Sequence, residues 1–287
     1  MSDMPNQTET AAGRMRLPYL RFNLHHLSLA CCVLLAAGAW FYGWPALPTG
    51  VLALCLVVLV TDAIARPGSS LFYPTVSHGP RHSRRVALSF DDGPDPTMTP
   101  EVLDVLAEHG AHATFFVIGK SLAAHPGIGR RMAAEGHAIG NHSWQHSRWQ
   151  NFYSAGWHGK EIERGEQAIA AVTGSAVPVL YRPPVGLKSG ELAHAAWRRS
   201  LTLVAWSLHS RDTRLKDPES IARRVLDRIR GGDIVLLHDG HDLPGRTRPL
   251  CAAALRLILL GLREQGLECV TIPELLAPEG AAARKSA

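Results

Sequence analysis

The sequence predicts an α/β protein of the β/α-barrel type, preceded by an N-terminal transmembrane hairpin. Two observations carry this. Five apolar, strand-like runs end in Asp, His, Arg or Trp, and helix-length stretches separate them. Catalytic side chains at the C-terminal ends of several parallel strands are what a β/α barrel provides. Upstream, no charged residue occurs from Leu27 to Thr61. The 287 residues suit one barrel of about 200–250 residues plus an appendage.

Residues 1–26 read as a disordered basic N-terminus, polar through Gly13. Residues 27–65 read as the membrane segment, since a spanning helix needs about 20 apolar residues. Pro45, Pro48 and Gly50 break the run into Leu27–Trp44 and Leu47–Ile64, with Asp62 expected at the interface. Trp40, Tyr42 and Trp44 sit near the break like an interfacial aromatic belt. Arg14, Arg16 and Arg21 precede the run; Arg66, Arg81, Arg84 and Arg85 follow it. Arginines on both flanks and an uncharged turn predict both ends inside, with the catalytic domain on the cytoplasmic face of the inner membrane. A single span would instead place the domain on the external face. A signal peptide cleaved near Ala63-Ile-Ala65 fits less well, because its apolar core is only about 7–15 residues. A soluble buried hairpin lacks its polar face.

Residues 66–83 read as a linker, 84–276 as the catalytic domain and 277–287 as a solvated tail. Within the domain, Val86-Ala-Leu-Ser-Phe90 is a strand that runs into Asp91-Asp92-Gly93-Pro94. Neighbouring carboxylates on a rigid strand would diverge, so the Gly-Pro turn is expected to aim both at one pocket. Thr99-Pro100-Glu101 opens a helix that Gly110 closes. Ala113–Ile118 is a second strand. Gly136-His-Ala-Ile-Gly140 leads to His142 and His146, four apart, which one helical turn would place on a common face. Two histidines and one carboxylate leave open positions on a divalent metal, the pattern of a catalytic site. Further strand ends carry Tyr181-Arg182-Pro183-Pro184-Val185-Gly186, Trp206 through Asp212, and His238-Asp239-Gly240. Leu250–Gln265 is a helix and Leu267–Ile272 a last short strand.

Read in order, these motifs resemble the polysaccharide deacetylase family, metal-dependent carbohydrate esterases that include the nodulation-type chitooligosaccharide deacetylases. The resemblance runs from about Arg84 to Leu276, and is tighter at the first, second and fifth motifs than at the third and fourth. It implies a distorted (β/α) barrel that holds one divalent metal, zinc by expectation. It implies that Asp91 is the general base and that Asp92, His142 and His146 hold the metal. Arg182 would orient Asp91; His238 would be the general acid, paired with Asp212. Leu236 would line the pocket for the acetyl methyl, with Pro184, Gly186 and Trp206 also at the substrate. The chain departs from the family where Val185 replaces an aromatic residue, where Thr213 replaces Trp, and at His209, near a position that is often acidic.

The expected activity is removal of N-acetyl groups from an amino-sugar glycan or glycolipid. The tether and the altered groove walls bring lipid-linked sugars and membrane lipid in as partners. An inactive, membrane-tethered carbohydrate-binding or scaffold protein is the alternative from a different class. The net charge of +5 suits anionic head groups, and no aromatic-interleaved basic patch points to nucleic acid. No protein partner can be inferred from the sequence. Cys251 and Cys269 read as buried thiols and not as a disulfide framework. The histidines at 109, 112, 125, 137, 158, 194 and 241 read as surface or packing residues. Trp144 and Trp149, beside the histidine pair, read as core or groove packing ahead of sugar stacking.

Overall fold

The computed structural model describes residues 46–174, 179–241 and 250–278, with short stretches between 33 and 41. Nine strands form one curled sheet: β1 (Thr75–Val76), β2 (Arg85–Asp91), β3 (Thr114–Val117), β4 (Ala138–Asn141), β5 (Leu180–Tyr181), β6 (Thr202–Val204), β7 (Leu208–His209), β8 (Ile234–His238) and β9 (Glu268–Cys269). Their order is β1-β6-β5-β4-β3-β2-β8-β7, with β9 also pairing β2, and every ladder between them is parallel. β6 and β7 lie toward opposite ends of this order, yet only Ala205–Ser207 separates them in the chain. Ala205 N–H donates to Val76 O and Ser207 N–H to Ile234 O. The sheet is therefore a curled half-barrel and not the closed barrel expected, with β6 and β7 linked there by chain and not by a ladder. β1 lies inside the stretch expected to be a linker.

Central strands of a parallel sheet are covered on both faces and so read as continuous apolar runs. β2 is buried from Val86 through Asp91, and β8 from Ile234 through Leu237. Phe90 stacks on Phe115 at 5.1 Å within the main core. Around the sheet run α1 (Ala46–Ala65), α2 (Met98–Glu108), α3 (Gly119–Ala124), α4 (Pro126–Ala134), α5 (Ala155–Thr173), α6 (Gly190–Arg198), α7 (Pro218–Leu226), α8 (Cys251–Glu264) and α9 (Ile272–Leu276).

One helix and one strand differ in their bounds. α2 begins at Met98, because Thr99 is not its cap. The Thr99 hydroxyl is buried and donates 2.6 Å to Asp239 Oδ2. The predicted last strand is shortened to β9, because Thr271 caps α9 in a reciprocal capping box with Glu274. Cys251 and Cys269 are not joined in a disulfide; Cys251 is buried as expected, whereas Cys269 is only half-buried.

The predicted transmembrane hairpin is not supported. Among the described residues no helix is long and apolar enough to cross a membrane. Most of Leu27–Trp44 lies outside the described residues. The second half is helix α1, whose Leu54, Val57 and Val58 are exposed. α1 is fastened to the barrel at its C-terminal end. The buried Lys188 ammonium donates to Arg66 O at 3.0 Å, to Ser69 O at 2.8 Å and to Pro67 O. Burial pulls the Lys188 pKa down to about 8, against the attraction of Asp62.

Candidate active site and metal centre

Parallel register brings the site residues to one end of the sheet. Asp91 at the end of β2 is level with His238 at the end of β8. Asn141 at the end of β4 is level with Tyr181, which precedes Arg182. Asp91 and His238, with Asp92, His142 and His146, line a cavity of about 450 Å3.

Strand period explains the first group. Ser89 and Asp91 are two apart on β2 and so share a face. Arg182 is fully buried beneath them. Its Nη1 donates to Asp91 Oδ1 at 2.7 Å and to Ser89 Oγ at 2.9 Å, while Nη2 donates to Ala205 O at 3.0 Å. The guanidinium lies 4.0 Å from the Phe116 ring centroid. Burial lowers the Arg182 pKa, and the Asp91 carboxylate opposes that shift. Removing one partner of such a buried pair costs about 3–5 kcal/mol, so Arg182 locks Asp91 in place.

Asp92 leaves the strand direction through a left-handed backbone (φ 73), which sends its carboxylate to the same cavity as Asp91. The histidines sit in the loop after β4, not on a helix. Left-handed turns at Ser143 (φ 68) and His146 (φ 53) fold that loop back on itself. Asn141 Oδ1 accepts from Ser143 N–H at 2.8 Å, and Ser143 Oγ accepts from His146 N–H at 3.0 Å. The imidazoles end 4.8 Å apart between centroids. Asp92 Oδ1 lies 3.6 Å from His142 Nε2 and 3.3 Å from His146 Nε2. Ligand atoms of Asp92, His142 and His146 all fall within 4.8 Å of one another, and all three residues are buried.

This cluster fits a divalent metal on its donor chemistry. His142 Nδ1 faces Arg182 O at 2.7 Å. A carbonyl only accepts, so Nδ1 carries the proton and Nε2 keeps its lone pair toward Asp92. Burial alone would raise the Asp92 pKa, but the neighbouring His142, His146 and His238 hold it well below the carboxylate range. It therefore stays an anionic ligand.

On the other side, Asp212 grips His238 twice. Its Oδ1 meets Nδ1 at 2.9 Å, and its Oδ2 accepts from the His238 backbone N–H at 2.7 Å. Burial would lower the His238 pKa, yet the Asp212 carboxylate raises it above the ordinary imidazole value. Trp206, Leu236 and Gly186 line the cavity as expected; Pro184 is buried and does not line it.

Comparison with known proteins decides the family. A peptidoglycan-N-acetylglucosamine deacetylase of Bacillus cereus is 37% identical over 203 residues, covering 69% of this chain and 90% of that protein. The chain belongs to the polysaccharide deacetylase family. Residues 78–204 match the family description itself. A chitooligosaccharide deacetylase of Bradyrhizobium is 38% identical over 67% of this chain and 91% of its own length. The crystal structure of a peptidoglycan N-acetylglucosamine deacetylase superposes with a TM-score of 0.66 at 31% identity, covering 70% of this chain and 92% of that one. This polysaccharide deacetylase is thus a hydrolase of carbon–nitrogen bonds other than peptide bonds. An inactive binding protein is not supported.

Several site residues escaped the sequence reading. His241 lines the cavity with His209, Arg148 and Arg214, whereas the sequence placed it among surface or packing histidines. Trp149 is 68% exposed and so is not a core residue, while Trp144 lies under the Arg164 guanidinium. Asp239 is buried and pushed up to about 7, chiefly by burial. Its backbone N–H donates to Asp91 O at 3.2 Å, which ties the end of β8 to the end of β2. Gly240 packs so tightly there that a Cβ would overlap the Asp92 carbonyl. Gly240→Ala should therefore displace Asp92, cost about 1–3 kcal/mol of stability and weaken metal binding. A variant with the parent's melting temperature and zinc affinity would show that the contact relaxes freely.

Proposed function

We propose that this deacetylase removes N-acetyl groups from an amino-sugar glycan or glycolipid at the cytoplasmic membrane. The observation that carries the reading is that Asp91, paired with Arg182, and His238, paired with Asp212, line one cavity with the Asp92, His142, His146 cluster. Amide hydrolysis needs an activated water, a polarised carbonyl and an acid for a poor leaving group. A divalent metal held by Asp92, His142 and His146, zinc by expectation, supplies the Lewis acidity that polarises the carbonyl and acidifies water. Asp91 is the general base that takes the proton from the attacking water. Arg182 holds Asp91 in place through the Nη1–Oδ1 contact at 2.7 Å. His238 is the general acid: Asp212 occupies Nδ1, so the Nε2 proton goes to the departing amine nitrogen. Acetate and a free amino sugar leave. Leu236, with Trp206 and Gly186, forms the wall beside the acetyl group.

The relatives' names support N-acetylglucosamine in peptidoglycan or chitooligosaccharides as the first substrates to test. Acetate release is expected from one or more of chitooligosaccharides, peptidoglycan fragments and lipid-linked amino sugars. No release from any of them, by protein that holds zinc, would sink the reading.

Membrane association rests on the uncharged 27–61 stretch and the exposed apolar face of α1. The flanking arginines favour a cytoplasmic catalytic domain. A reporter fused after Ala287 should then behave as cytoplasmic. An active periplasmic reporter at that point would put the domain outside and make cell-wall glycans the leading substrate.

A further inference from the structure

The cavity walls carry a charge pattern that a neutral glycan does not need. Among the described residues that line it, the only carboxylates are Asp91 and Asp92 on the floor. Asp91 is committed to Arg182, and Asp92 to the two histidines. The other titratable lining groups are Arg148, Arg214, His209 and His241, besides His142, His146 and His238. Arg148 follows the histidine pair beyond β4, and Arg214 follows β7. In the sheet order β4 and β7 lie on opposite sides of β2, so the two residues reach the cavity from loops on opposite flanks. Both residues are exposed.

His209 adds a donor between them and the acid. Its Nδ1 accepts from Arg211 N–H at 3.0 Å, so Nε2 carries the ring proton. Burial and the neighbouring His238 pull its pKa down to about 4, which keeps it a neutral donor at neutral pH. Sites for neutral sugars rely on apolar and aromatic walls with a few hydrogen-bonding groups. Trp206 is the only aromatic wall among the described lining residues apart from the imidazoles. Arginine forks match planar or tetrahedral oxyanions. A carboxylate offers one edge to one guanidinium, whereas a phosphate offers oxygens in several directions and can be shared by two.

Taking the proposed deacetylase reaction as given, the geometry points to a substrate with a phosphate next to its N-acetylated sugar, held between Arg148 and Arg214 with His209 Nε2–H as a further donor. The phosphate belongs to a soluble sugar phosphate or to the head group of a lipid-linked sugar.

The test measures binding, so it stands apart from turnover. Full-length, zinc-loaded Asp91→Asn protein is titrated with N-acetylglucosamine 1-phosphate and with polyprenyl diphosphate-linked N-acetylglucosamine in detergent. N-acetylchitotriose and an N-acetylmuramyl disaccharide, which carries a carboxylate, serve as comparison ligands. One or both phosphate ligands should bind at least about tenfold more tightly than chitotriose. Arg148→Ala and Arg214→Ala should each weaken the phosphate ligands by about 10–100-fold, the range for hydrogen bonds to charged groups, and leave chitotriose within about twofold. The preference should shrink between about 50 and 500 mM salt. Both arginines are solvent-exposed, so the variants should fold, which their melting temperatures check. Tight binding of the lipid-linked ligand alone would identify a membrane head group; equal binding of both phosphates would identify the phosphate itself. An arginine dependence as strong for the muramyl carboxylate, or none for any ligand, would overturn the proposal. Phosphate binding of the expected kind in a parent protein that releases no acetate would overturn the reaction and leave this site standing.

Discussion

His142→Ala is expected to strip the metal and abolish hydrolysis while the fold survives. His142 directly follows β4 and is almost fully buried, so its ring direction is set by the barrel and not by the ion. The Arg182 carbonyl at 2.7 Å fixes the Nδ1 proton and presents the Nε2 lone pair to Asp92. Loss of an outer-shell partner typically costs about 10–100-fold in metal affinity or activity; loss of the ligand itself should exceed that. Metal analysis after dialysis checks the point, with the parent at one ion per chain and the variant near none. Zinc should raise the melting temperature of the parent and not of the variant, because only a ligand that binds the native state stabilises it. Full occupancy in the variant would remove His142 from the ligand set.

The distinction matters because His142 touches both halves of the machinery. Its Nε2 is 3.7 Å from Asp91 Oδ2 and 3.6 Å from Asp92 Oδ1. Burial would lower its pKa, but the two carboxylates raise it. Metal and proton therefore compete for one nitrogen. Metal affinity should fall as the pH drops and the imidazole protonates.

Much of this site was legible because its chemistry sits at strand ends, and strands announce themselves by apolar runs. Asp91, Asp92, Arg182 and His238 each close or follow such a run, so their convergence followed from a parallel sheet. The histidine pair was legible as a pair, but not its backbone. Spacing of four fits a helical turn, yet Asn141 and Ser143 capture the local N–H groups and impose left-handed turns instead. Side chains that bond nearby backbone compete with helix in this way. Ser89 could have been found from period two alone, since it shares a face with Asp91. Arg148, Arg214 and His241 could not, because they lie on loops whose convergence is set by the whole sheet. The N-terminal reading rested on the absence of charge, which is a statement about composition. The C-terminal anchoring of α1 depends on Lys188, more than a hundred residues away, and no local pattern encodes that contact.

Proton transfer gives the other large effect. Asp91→Asn keeps the shape of the base but cannot accept a proton, so the rate should fall by about 10²–10⁴-fold with metal retained. His238→Ala should cost a similar factor. The parent's rate should rise and then fall with pH, with the alkaline limb set by loss of the His238 proton. The sign follows from the raised folded pKa. Asp212 stabilises the imidazolium, so the acid stays charged above the ordinary imidazole value, and activity is lost as pH rises through the raised value. Stability follows the same rule: the Asp212–His238 contribution is fully present below the unfolded pKa and disappears through the folded one. Asp212→Asn removes the stabilising charge and should move the alkaline limb to lower pH. Asp239, pushed up to about 7, titrates in a neighbouring window and supplies the control. Asp239→Asn retains an oxygen for the Thr99 hydroxyl and should leave the alkaline limb where it is. If that limb stays fixed in Asp212→Asn and moves in Asp239→Asn, the acid role passes from the His238 pair to the turn behind it.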